Sequence, residues 1–70
     1  MSVAVGQARL KDAHRQLMAK WQRVREVWDD AAARRFEAEF LEALPTKVAA
    51  AMGAMSRAGE VVNQTRRECQ

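Results

Sequence analysis

The apolar positions of this chain fall into two long stretches that share one rhythm. In the first, from about Gln7 to Trp28, Leu10, Leu17, Trp21, Val24 and Trp28 recur at alternating three- and four-residue steps once His14 is placed in the series. That spacing puts them on one helical face as an a/d seam. Arg9, Lys11, Arg15, Lys20, Arg23 and Arg25 mostly occupy the other faces, where their stems can lie along the stripe while the charged heads stay in water. In the second stretch, Leu41, Leu44, Val48, Ala51, Met55, Ala58, Val62, Thr65 and Cys69 keep the same rhythm over four heptads. Phe36 and Phe40 extend that face upstream by one turn each.

The two seams differ in bulk. The first carries two tryptophans and two leucines, whereas the second is rich in alanine, with Gly53 and Gly59 nearby. Large residues facing small ones interdigitate without voids. The pattern therefore predicts an all-α fold, an antiparallel two-helix hairpin occupying residues 1–70 as a single domain.

Two sites compete for the reversal. At Trp28-Asp29-Asp30-Ala31 an aspartate can cap the next helix through its side-chain oxygen and suits the positive helix start. At Leu44-Pro45-Thr46 proline removes a helical hydrogen bond and restricts the residue before it. The seam passes through Pro45 without losing phase, and Leu44 is a poor cap. The favoured reading is a helix over about 7–28, a bend at 29–30 and a helix over about 31–68. Pro45 then marks a kink, or a first-turn position after a brief break. The arms are unequal, so the free end of the longer one exposes apolar residues that a partner would cover.

Composition agrees with helix: there are 14 alanines, one proline and three glycines, and no alternating run of β-branched or aromatic residues. No apolar run approaches the ~20 residues that span a bilayer. The opening MSVAVGQARL has no basic segment followed by an apolar core, so no standard secretory signal is expected. The expected location is cytoplasmic, with any export by a route that does not read such a signal.

Chemistry is sparse. One cysteine, Cys69, excludes an internal disulfide, and the lone His14 with no CxxC or HxxxH spacing provides no structural zinc signature. Glu37, Glu39 and Glu42 have no histidine beside them and do not share a face. No nucleophile–base pair, phosphate loop or carboxylate dyad is present, so neither catalysis nor a metal, cofactor or small-molecule substrate is expected.

Charge is distributed in blocks: residues 1–28 carry net +4, residues 29–42 net −3 and residues 43–70 net +2. Mixed-sign blocks suit helix pairing in which an acidic segment of one chain meets a basic arm of another, choosing orientation more than adding affinity. A nucleic-acid reader would cluster its bases and keep its aromatics free, but here the bases surround an arm and both tryptophans lie on the seam.

Trp28, Asp30, Ala31-Ala32-Ala33 and Phe36 resemble the signature of the Trp-x-Gly (WXG) family of small secreted bacterial helical-hairpin proteins, the early-secreted-antigen type. That family has Trp-x-Gly at the bend, small residues after it and an aromatic eight residues beyond the tryptophan. Phe36 stands eight beyond Trp28, Asp30 takes the glycine's place, and the tail TRRECQ lacks the family's Tyr-x-x-x-Asp/Glu export motif. The resemblance implies a head-to-tail homodimer or heterodimer forming a four-helix bundle, and handling by a type VII secretion ATPase or use as an adaptor domain. It also implies that Trp28 fills the gap between the arms with Phe36 packed beneath it. Bend motif residues are Trp28, Asp29, Asp30 and Phe36, and seam residues are Leu10, Leu17, Trp21, Val24, Phe40, Leu41, Leu44, Val48, Met55 and Val62. The function expected is a protein–protein interaction module that self-associates or pairs with a helical partner. The alternatives are a scaffold subunit docking on a different protein, and a small basic nucleic-acid binder.

Overall fold

A computed structural model describes residues 2–69. Helix α1 spans Val3–Val27, starting one turn earlier than the seam alone suggests. The reason is a cap: the Ser2 hydroxyl accepts from the Val5 backbone N–H at 3.2 Å, satisfying one of the first-turn donors. Trp28 then leaves the helix with φ −137° and ψ 103°. Asp30, at φ −115° and ψ −177°, caps the next helix, α2 (Ala31–Phe36), by accepting from the Ala33 N–H at 3.0 Å. Among the described residues none has positive φ, so an aspartate makes this bend as easily as a glycine would.

The longer arm is interrupted. After α2 the chain makes a π-helical turn over Glu37–Leu41, closed by the Glu42 N–H on the Glu37 carbonyl at 2.9 Å. Helix α3 then spans Leu44–Glu68, with Pro45 in its first turn, where the missing N–H has no helical acceptor to lose. The break therefore falls at Glu42-Ala43, just ahead of the proline.

α1 and α3 lie antiparallel, and their register is set where backbones approach most closely. A Cβ placed on Gly6 would stand 3.0 Å from Met55 Cε, and one on Gly59 would stand 2.9 Å from Val3 Cγ2. Gln7 fixes the same register by donating from Nε2 to the Met52 carbonyl and to the Ser56 hydroxyl, each at 2.8 Å. From Val3 opposite Gly59, α3 runs on past the start of α1 by about ten residues, or ~15 Å of helix.

The seam divides. Leu10, His14 and Trp21 of α1 turn toward the other arm, as do Leu44, Val48 and Met55 of α3, while Leu41 is buried at 5 % exposure. Leu17, Val24, Phe40 and Val62 were expected in the same seam but remain 44, 40, 59 and 49 % exposed. Likewise Met52 and Gly59 of α3 are half-buried, whereas Ala51 and Ala58 are exposed. A strict heptad follows the contact line only if the helices supercoil. A straight helix drifts by ~20° per heptad, which moves the inward position from Ala51 to Met52 and from Ala58 to Gly59.

The resulting molecule is a rod of 59 × 18 × 10 Å, one helix thick. Its radius of gyration of 17.2 Å compares with about 11 Å for a compact chain of this length. Only Ala33 and Leu41 are fully buried among the described residues.

Candidate functional site

The bend end is held by one cluster built from α1, α2 and the π turn. Trp21 sits at its centre, with its ring centroid 6.0 Å from that of Trp28 in an edge-on arrangement and 5.2 Å from that of Phe36. Phe36 continues to Phe40 at 5.2 Å. Phe36 therefore packs on Trp21 and Phe40, not beneath Trp28 as the resemblance implied. Trp28 is itself 40 % exposed and caps the cluster instead of filling the space between the arms. Across the π turn Phe40 comes into contact with Phe36, while Leu41 is buried at 5 % exposure.

Polar groups close the cluster on one flank. The Trp21 indole N–H donates to Glu37 Oε2 at 2.9 Å, and Arg25 Nε stands 3.0 Å from the same oxygen. Arg25 also pairs with Asp29 at 2.9 Å, and Asp29 accepts from Arg34 at 3.2 Å. The Asp30 carboxyl is held below the usual carboxylate range chiefly because the Ala33 backbone N–H donates to it. Sequence reasoning assigned Arg25 to the outer faces. The missed signal was its place one turn beyond Trp21 and four residues before Asp29, an i,i+4 pair.

Part of the exposed apolar surface gathers on one side of the rod. The hydrogen bonds from Gln7 to Met52 and Ser56 mark one broad side, which also carries Lys11, Gln22, Arg25 and Asn63, with Met18 and Met52 at its inner edge. At about 100° per residue, Leu17 and Val24 of α1 fall on the opposite side. Counted within α3, Ala51, Ala58 and Val62 fall on that same side, while Phe40, 59 % exposed, packs on Phe36 at the bend. Lys20 and Lys47 edge this side. Val5, Val27 and Val61, at 44, 89 and 63 % exposure, point elsewhere.

Two smaller features complete the surface. Where α3 outruns α1, a cleft of about 680 Å³ opens among Val3, Gln7, Ser56, Gly59, Asn63 and Arg66. His14, at the level of Val48, has a buried Nε2 without a hydrogen-bond partner among the described residues. Among those residues no group of three or more His, Cys, Asp or Glu is placed to hold a metal ion. Cys69 is a free, exposed thiol at the end of the projecting tail. Among the described residues no helix is long and apolar enough to cross a membrane.

Comparison of the chain with protein-family models, with curated proteins and with solved structures finds no match.

Proposed function

We propose that this chain is a non-enzymatic interaction module that binds helices, completing a four-helix bundle either with itself or with a helical partner. The single observation behind this reading is the uncovered apolar side of the rod, where Leu17, Val24 and Val62 stand 40 to 49 % exposed, beside only two buried residues among those described. Scattered apolar side chains are normal on a surface, but a contiguous stripe of them marks an interaction site. A hairpin of this size also has too little core to be stable by burial alone, which makes a partner part of its stability.

The WXG-like reading belongs to this proposal. It is supported by the helical hairpin, by Trp28 at the bend with Asp30 in the glycine's place, and by Phe36 in contact with the same tryptophan cluster. On that reading the module serves a type VII-like secretion route from the cytoplasm, and an FtsK-like ATPase encoded next to it is the expected genomic signature. Docking on a different protein as a scaffold subunit is the second reading, favoured by the projecting end of α3.

Circular dichroism from about 1 µM to about 100 µM tests the proposal, since association stabilises by mass action. Helicity and melting temperature rising with concentration, or on addition of a helical partner, support it. A fully helical, cooperatively melting monomer with no affinity for a hydrophobic dye would falsify it.

A further inference from the structure

We infer that the bend end of the rod is a docking platform for a short basic segment of a different protein, one that intersperses Arg or Lys with aliphatic residues. This goes beyond the helix-binding reading above, because it uses the end of the rod and not the side that carries Leu17, Val24 and Val62. The platform is a run of four rings. Trp28, Trp21, Phe36 and Phe40 follow one another at centroid separations of 6.0, 5.2 and 5.2 Å. Trp21 is half-buried at its root, while Trp28, Phe36 and Phe40 stand 40, 42 and 59 % exposed.

Its size limits what can cover it. The exposed parts of the three outer rings amount to roughly 300 Å². A contiguous apolar patch of that order on a small chain marks an interaction site. It is less than half of the ~800 Å² that each partner contributes to a standard interface, so it fits a short segment and not the face of a folded domain. The rings are also held before anything binds. The Trp21 indole N–H is fixed on Glu37, and Arg25 stands on the same oxygen, so little ordering remains to be done on docking.

Charge selects the chemistry of that segment. Residues 25–42 hold six acids and three bases, net −3, against net +6 on the rest of the chain. Within this stretch Arg25 pairs with Asp29 and Glu37, Arg34 pairs with Asp29, and Asp30 caps α2. Glu39 and Glu42, on either side of Phe40 in the chain, hold no ion pair among the described residues. A guanidinium or ammonium group is attracted both to such carboxylates and to the faces of exposed rings. Aliphatic neighbours on the same segment would cover the remaining ring surface. An acidic segment would be repelled here and drawn to the rest of the rod, so the opposite signs also orient the encounter.

The test uses the full chain and a synthetic peptide of Leu and Arg, capped at both ends and about three helical turns long. Binding is followed by the fluorescence of Trp21 and Trp28. A saturable shift is expected, weakened about tenfold or more when Ser replaces the peptide's Leu and lost when Glu replaces its Arg. Glu39→Lys with Glu42→Lys should weaken binding about tenfold, and so should Phe40→Ser. The Glu pair keeps all four rings, so it decides the matter where circular dichroism shows that Phe40→Ser has cost helix. Leu17→Ser, on the side of the rod, should leave affinity unchanged. No shift with the Arg peptide, or equal affinity for the Glu peptide, overturns the inference. A loss in Leu17→Ser as large as in Phe40→Ser moves binding to the side of the rod and overturns the platform. Tryptophan emission that shifts with the chain's own concentration, and no longer does so in the Glu39→Lys, Glu42→Lys chain, makes the occupant a second copy and overturns the different partner. The two readings fail separately: concentration-dependent helicity without a peptide response overturns the platform alone, and a concentration-independent monomer that binds the Arg peptide supports it.

Discussion

Trp21 and Glu37, sixteen residues apart, are joined by a hydrogen bond of 2.9 Å from the indole N–H to the carboxylate. The same oxygen receives Arg25, so one side chain of the π turn ties down the aromatic centre and the charged edge of the bend together.

Glu37→Ala should remove both attachments and lower stability by about 1–2 kcal/mol. Glu37→Gln should fall between it and wild type, since the amide oxygen still accepts from the indole. Urea unfolding followed by circular dichroism and tryptophan fluorescence separates the three. Equal stability of all of them would mean that the pair is only a solvated surface contact.

The two tryptophans should not be equivalent. Trp21, half-buried at the centre of the cluster, should cost about 3 kcal/mol on truncation to alanine, and Trp28, at 40 % exposure, about half as much. Guanidinium midpoints of Trp21→Ala and Trp28→Ala decide it. The reverse order would move the hairpin's anchor to the bend.

The glycines divide by what lies beside them. At Gly53 an added methyl meets only the tip of Arg57 at 3.4 Å, so Gly53→Ala should stabilise by roughly 0.5–1 kcal/mol through helix propensity. At Gly59 the same methyl meets the branched Val3 side chain at 2.9 Å, and Gly59→Ala should lose that gain. Thermal melts of the two variants should move in different directions. A rise in both would show that the arms are looser near the start of α1 than the close approach implies.

Acid should loosen the bend. The Asp30 carboxyl is held below its ordinary 3.8 by the Ala33 N–H, so its charged form is favoured in the folded chain. Stability from it is present above the unfolded value and is lost as pH falls through the folded one. Melting temperature should begin to drop below about pH 5 and continue downward under 3.8. Asp12, lowered by Arg15 and Gln16, adds a loss of the same sign. Asp30→Asn, which keeps an N-cap oxygen without a titrating proton, should show a shallower decline. An unchanged acid limb in that variant would remove the cap from the account.

That the chain is helical, and which residues border the bend, can be read along the chain alone. Helix propensity, the Asp30 cap and the three–four spacing are local properties, readable within a turn or two of each residue. The sequence could not say which half of the seam the arms would bury. Leu17 and Leu10 are alike in spacing and chemistry, and so are Ala51 and Met55; only the register set by Gly6, Gly59 and Gln7, combined with the drift of straight helices, separates inward from outward. The π turn was equally hidden, because nothing in Glu-Ala-Glu-Phe-Leu distinguishes it from an ordinary helical turn until Trp21 and Arg25 arrive from the other arm to hold Glu37. Those contacts are long-range, and their geometry exists only when both arms are in place.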